Sequence, residues 1–304
     1  MKKTFILLLI FSVFSCDKIE TPLPQAYGEF NWDLYPFEPS TYPYNIANPS
    51  NNWGPNSNKK GILLEDYTGH KCTNCPSAAT IAKDLEEDTS LNVIVASIHA
   101  SADGSFQSTD NLFTNNYRTE AGDTYVSQMS GFIGNPLGTI NRNDGGFTGT
   151  VWYFPTNWSN GVNSELNNSL SANLQLQYNY YPETNGLYVH TETSFLNTMT
   201  GNYHLVIYLV RNDVVSPQKF NGGITDTSYH HHAILSKNLN GTWGSLLIDS
   251  IAKEDSIIYN NFSYELPDPI TDSTYKINNL SLITYLFNRD TYRIEQAIKT
   301  DLQN

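Results

Sequence analysis

Cysteine is nearly absent from this chain, with three residues in 304: Cys16, Cys72 and Cys75. That scarcity excludes a disulfide-stapled scaffold, and the single CxxC leaves no second pair for a four-cysteine zinc site. Charged residues are few, at 15%, and basic ones fewer: 17 Lys and Arg face 30 Asp and Glu, a net charge of -13. Such a surface repels phosphate backbones and anionic lipid, so nucleic acid is excluded as a partner. Long apolar runs are missing too. The one that exists, Thr4 to Phe14, is too short to span a bilayer as a helix.

That run has the form of an export signal. Lys2 and Lys3 precede it, and it ends Val13-Phe14-Ser15-Cys16. A lipoprotein peptidase needs a small residue before the cysteine. Ser15 supplies one, although Phe14 is larger than usual at its position. Residues 1–15 are therefore expected to be removed, with Cys16 becoming the lipid-bearing first residue. Removing Lys2 and Lys3 takes the 17 basic side chains to 15 against 30 acidic ones, a net charge of -15. Anchoring then falls to acyl chains, which hold a protein stably only when more than one is attached. The expected partner is a membrane through that anchor, together with other envelope proteins.

From residue 16 to about 59 the sequence is rich in Pro, Asn, Ser and aromatics and keeps no helical or strand period, so it reads as an extended tether. Its aromatics are expected to dock on a folded domain. Order begins at Gly61. Ile62 to Tyr67 reads as a buried strand, Pro76 to Glu87 as a helix with one stripe of Ala78, Ile81, Ala82 and Leu85, and Leu91 to Ile98 as a second strand. A polar stretch, Gln107 to Met129, reads as helical in pieces. Gly134 to Arg142 reads as a loop entering a strand, and Trp158, Val162, Leu166 and Leu170 mark a closing helix. After Ser171 the texture changes to strands at 174–181, 187–193, 203–211 and 281–287, with a final hairpin at 294–298. The expected fold class is an α/β domain over 60–171, followed by an all-β antiparallel sandwich domain over 172–304.

A CxxC at a strand-to-helix junction carries specific chemistry. The first thiol sits beside unpaired N–H groups at the helix start, which stabilise a thiolate; the second, one turn on, is close enough to form a disulfide. Cys72 is thus the candidate nucleophile and Cys75 the resolving thiol, with Lys71 adding positive charge beside Cys72. Zinc remains an alternative, but it would have to recruit distant histidines.

The surroundings resemble thioredoxins. Asp66 stands six positions before Cys72, where that fold keeps a buried acid that moves protons for the resolving thiol. Pro136, in an Asn-Pro before a strand, resembles the cis-proline that faces the disulfide there. Lys71 replaces the aromatic usual before the first cysteine, and Thr73-Asn74 replaces Gly-Pro, which puts groove and potential in doubt. More closely, LLEDYTGHKCTNCP, IVASIHA, GNPLGTINR and Tyr229-His230-His231-His232 ahead of NGTWG resemble the outer membrane protein 28 related lipoproteins of Bacteroidetes-type bacteria, over roughly residues 60–300. The resemblance implies an N-terminal thioredoxin-like domain, a C-terminal β domain and an outer-membrane location, with no settled activity.

Other residues carry two readings each. His70 can stabilise a thiolate as imidazolium or serve only as a loop residue. His99 ends a strand at the edge where α/β sites gather, but a hydrogen-bonded strand-end histidine is the simpler reading. His230 and His232 share a strand face and, with His190 or His204, could bind metal; a structural role is the simpler reading, and neither metal nor cofactor is expected. Glu65 and Asp66 point to opposite faces of their strand, so only Asp66 can serve the cysteines. Two functions follow. One is a binding or assembly subunit of the cell envelope that keeps the CxxC as a disulfide; the alternative is a thiol-disulfide oxidoreductase acting on exported proteins.

Overall fold

The structure, a computed structural model, describes residues 30–44, 53–57 and 59–303. The expected signal peptide over 1–15 and the lipid attachment at Cys16 lie outside the described residues. The first part of the chain runs β1 (Ile62–Thr68), α1 (Cys75–Glu87), β2 (Val93–His99), α2 (Glu120–Gln128), β3 (Leu137–Ile140), β4 (Trp152–Tyr153) and α3 (Trp158–Leu166). Strands then dominate: β5 (Ala172–Tyr181), β6 (Gly186–Phe195), β7 (Met199–Thr200), β8 (Tyr203–Arg211), β9 (Val214–Lys219) and β10 (Thr225–His231). The chain continues with β11 (Ile234–Asn238), β12 (Ser245–Ile248), β13 (Ile251–Ala252), β14 (Ile257–Glu265), β15 (Leu280–Asn288) and β16 (Ile294–Asp301).

Local sequence explains most of these elements. Every residue of β1 is buried, as its unbroken apolar start requires of a strand covered on both faces. In α1, Pro76 falls in the first turn, where its missing N–H costs nothing, and Ala78, Ala82 and Leu85 form the buried stripe. Thr119 caps α2 by accepting from the Gly122 N–H, with Glu120 and Asp123 in the first turn. The expected closing helix is shorter than its pattern. Trp158 and Val162 are buried, but Leu166 is 42% exposed and the helix ends there. A spacing of four residues advances about 40° per repeat, so by the third member the stripe has rotated about 80° off the core face.

One mixed sheet organises the molecule, in the order β16-β15-β8-β11-β2-β1-β3-β4, with β12 also paired to β8. β2 is parallel to β1 and β11; β3 is antiparallel to β1, and β15 to β8. Side-chain alternation divides β1 cleanly. Leu63 and Tyr67 join a core with Tyr125 and Val126 of α2, while Ile62 and Leu64 pack against Ala78 and Ala82 of α1 and Trp158 of α3.

The strands after residue 171 were expected to form a sandwich of their own. They divide instead. β8, β11, β12, β15 and β16 extend the sheet that holds β1, while β5, β6 and β14 form a separate three-stranded antiparallel sheet. That second layer packs on the extension through Leu187 and Val189 of β6 against Ile207, Leu209 and Leu282. The physical reason lies in β8. YHLVIYLVR is apolar on both faces, and eight of its nine residues are buried, so it belongs inside a sheet rather than on a half-exposed layer.

Residues 30–44 dock on the outer face of β6, as the tether aromatics suggested. Phe30 and Tyr44 lie 4.9 and 5.0 Å from the Tyr188 ring, and the Tyr44 hydroxyl is 2.8 Å from His190 Nε2.

Candidate functional site

The site forms where β1 ends and α1 begins. Gly69 follows β1 because no side chain fits there: a Cβ would lie 2.7 Å from Phe106 Cβ and 2.8 Å from the Gln107 amide nitrogen. The chain turns, the Cys72 N–H donates to the Gly69 carbonyl at 3.0 Å, and α1 starts at Cys75. Cys72 and Cys75 are joined as a disulfide, with Cα atoms 5.4 Å apart. Each cysteine is only 2% exposed.

Asp66 lies on the α1 side of β1, and it lines a cavity of about 220 Å³ together with Cys75, His99, Gln218, Tyr229 and His231. Its Oδ1 is buried with no hydrogen-bond partner, and burial pushes the carboxyl up to about 7. Glu65 faces the other way. Arg142 Nε and Nη2 donate to its two oxygens at 2.7 and 2.6 Å, and Thr139 and Tyr208 hydroxyls donate at 2.7 and 2.8 Å. Burial opposes ionisation of Glu65, but Arg142 outweighs it and holds the carboxyl below its ordinary range. Adjacent acids thus differ: Glu65 locks the core, and Asp66 lines one cavity with Cys75, its Oδ1 unpaired.

Pro136 follows a cis Asn135–Pro136 bond and precedes β3, whose Leu137 pairs with Tyr67. That register sets Pro136 beside Thr68, at the cysteine end of the sheet. Gln107 Nε2 ties the two segments, donating to the Thr68 carbonyl at 2.6 Å and to Asn135 Oδ1 at 3.4 Å. Pro136 does not line the cavity that holds Asp66 and Cys75.

His70 and Lys71 are both engaged away from the sulfurs. His70 is 2% exposed, its Nε2–H donates to the Ser108 carbonyl at 3.0 Å, and burial lowers its pKa, which favours the neutral ring over the imidazolium. Lys71 Nζ is paired with Asp110 at 2.8 Å, so much of its charge is spent there. The Lys71 N–H also donates to the Phe106 carbonyl at 3.0 Å, which closes one side of the loop.

The other side is closed by a hairpin that sequence reasoning missed. β9 and β10 form a two-stranded antiparallel sheet. Gln218 Nε2 donates to the Cys72 carbonyl at 3.0 Å and to the Gly69 carbonyl at 3.4 Å. The Lys219 N–H donates to the His70 carbonyl at 2.8 Å, and Asn221 Nδ2 donates to Asn74 Oδ1 at 2.9 Å. A signal was present: Val214, Ser216 and Gln218 alternate inward, and Asn221-Gly222-Gly223 is a strong turn sequence.

The histidines redistribute. His99 and His231 are buried, with ring centroids 5.8 Å apart and Tyr117 against both. Burial, reinforced by His231 and His70, holds His99 well below its ordinary value; burial pushes His231 down to about 4. His230 pairs instead with Asp213, and His232 Nε2 lies 2.7 Å from Glu86. His190 binds Asn261 and Tyr44, and His204 contacts Asn202 and the Trp243 carbonyl, so neither is joined to His230 and His232. Among the described residues, no group of three His, Cys, Asp or Glu is placed to hold a metal.

Fold and site define a class: a mixed α/β sheet protein with a disulfide seated at a helix start, overlaid by antiparallel strands from later in the chain. Residues 123–304 match the family model of Outer membrane protein Omp28. The chain belongs to that family, and the outer membrane is its location. The matched span starts in α2, so Cys72 and Cys75 lie outside it. In fold the chain is similar to HBP35 of Porphyromonas gingivalis, with a TM-score of 0.61 and 16% identity over 82% of this chain and 77% of that one. A weaker likeness, TM-score 0.29 and 14% identity over 44% of this chain and 88% of the other, is to a domain of the outer membrane lipoprotein Omp28 from Porphyromonas gingivalis. No curated protein matches the chain.

Proposed function

We propose that this protein is a binding or assembly subunit of the cell envelope, anchored by acyl chains on Cys16, whose CxxC is kept as a closed disulfide. In this reading residues 60–171 carry the disulfide, and residues 172–304 supply the strands that complete the sheet and cover the cysteines. The observation that carries it is occlusion. Both cysteines are 2% exposed, and the loop holding them is hydrogen-bonded on both sides, to Phe106 and to the 214–231 hairpin. A disulfide meant for free exchange needs an approachable sulfur. The test is purification from gently solubilised membranes, with protease shaving of whole cells to fix the face. Stable co-eluting envelope proteins support the reading; a chain that always elutes alone overturns it.

Asp66 favours a second reading, a thiol-disulfide oxidoreductase. A carboxyl with its pKa at about 7, in one cavity with Cys75, can accept a proton near neutral pH. The Cys72 thiolate would attack a client disulfide, releasing one client thiolate and forming a mixed disulfide. Cys75, losing its proton to Asp66, would then attack Cys72 Sγ, expel the second client thiolate and restore the internal disulfide. Pro136 would shape the groove. Cys75→Ser should then accumulate the mixed disulfide, and recovery of no adduct on Cys72 would sink this reading.

A further inference from the structure

The 214–231 hairpin pairs with neither the main sheet nor the three-stranded layer. It reaches over cysteines that lie far earlier in the chain, and its attachment is uneven. At the base, Val214 packs with Tyr117 and Ile234, and His232 is paired with Glu86. Towards the tip, the holds on the cysteine loop are the hydrogen bonds of Gln218, Lys219 and Asn221. Residues 221–224 are exposed, with Gly222 and Gly223 at φ of 80° and 76°.

The underside is polar. Ser216, Gln218 and His231 face inward, and the cavity beneath holds buried polar atoms without partners: Asp66 Oδ1, His99 Nδ1 and His231 Nε2. Lifting the hairpin would part Val214 and the His231 ring from Tyr117 and break the Tyr117–Ser216 hydroxyl bond, but those three buried atoms would gain water. The two ends carry the second observation. Asp213, just before β9, has φ 56°, and Ala233, two residues after β10, has φ 50°. Neither is glycine. A non-glycine residue in the left-handed region is held there by its surroundings at an energetic cost, and here one flanks each end of a single hairpin.

We propose that the 214–231 hairpin is a displaceable lid hinged at Asp213 and Ala233. Closed, it occludes the Cys72–Cys75 disulfide; open, it exposes Cys72 and frees the His70 and Cys72 carbonyls for an extended cysteine-bearing polypeptide. The nature of that partner rests on the oxidoreductase reading, while the lid itself does not.

The test uses a small reductant, so no client is needed. A dithiothreitol thiolate attacks one sulfur, its second thiol completes the exchange to a cyclic disulfide, and Cys72 and Cys75 are left as two thiols. Reduction is timed under native conditions for the oxidised wild type, Gln218→Ala and Asn221→Ala, each shown to be folded. Loss of the Gln218 hydrogen bonds to the Cys72 and Gly69 carbonyls should speed reduction about five- to tenfold in Gln218→Ala, and loss of the exposed Asn221–Asn74 bond less in Asn221→Ala. Equal rates in all three proteins overturn the lid. Amide exchange in the wild type gives an independent reading: the Lys219 N–H should exchange by a local opening insensitive to low urea. Exchange only through global unfolding, in step with β8, also overturns it. A failed Cys75→Ser trap with fast lid opening would sink the oxidoreductase reading and leave the lid intact.

Discussion

Asp66→Asn should stabilise the oxidised protein, and by an amount that grows with pH. In the fold the carboxyl is wholly buried, Oδ1 has no partner, and burial pushes its pKa from 3.8 up to about 7. An acid with a raised folded pKa binds more protons folded than unfolded between those two values. Stability therefore falls as pH rises through the window from about 4 to 7, and levels off above it. At about 1.4 kcal/mol per pKa unit, the three-unit shift amounts to roughly 4 kcal/mol of destabilisation at pH 8. Asparagine has nearly the same shape and carries no charge, so the substitution removes that penalty at pH 8 and changes little at pH 4. The assay is urea unfolding of both proteins, disulfide intact, at intervals from pH 4 to 8. Every other titrating group is shared and largely cancels in the difference between the two curves. A difference that does not vary with pH would refute the reasoning, because the carboxyl would then be ionised or solvated equally in both states.

Arg142→Leu should cost about 3–5 kcal/mol in the same unfolding assay, since it strands the Glu65 carboxylate in a site with 0% side-chain exposure; a loss below about 1 kcal/mol would contradict the lock assigned to this pair. His231→Phe should flatten the acid limb of the stability curve. The folded pKa of His231 is lowered to about 4, so the folded state binds fewer protons and stability is lost as pH falls from 6.5 towards 4; a limb unchanged in the variant would count against it. Gly69→Ala should destabilise by about 1–3 kcal/mol, because the added Cβ meets Phe106 at 2.7 Å, and it should speed disulfide reduction by loosening the 105–107 side of the loop. A variant with wild-type stability and reduction rate would show that the close approach is unimportant.

How much of this was legible depended on the distance over which each fact is decided. Alternation within β1 separated Glu65 from Asp66, and the structure puts them on opposite faces with opposite pKa shifts. The helix expected from Pro76 to Glu87 forms from Cys75 to Glu87, since its stripe and first-turn proline act within a few residues. The same local logic failed wherever one pattern admits two neighbours. His230 and His232 pair with Asp213 and Glu86, while His231 between them is the buried one, its ring against His99 and Tyr117. The alternating strands after residue 171 were read as a sandwich because alternation records that a face is buried, never which layer buries it.

From the chain alone came the pairing partners nearest in sequence: two cysteines three apart, a helix start behind them and an acid one strand earlier. Tertiary structure alone settled their exposure. Gln218 meets the Cys72 carbonyl across 146 residues, and both cysteines end up 2% exposed. Thiol chemistry is written in short-range spacing, whereas access to it depends on a packing contact between distant segments, and no local period encodes that contact.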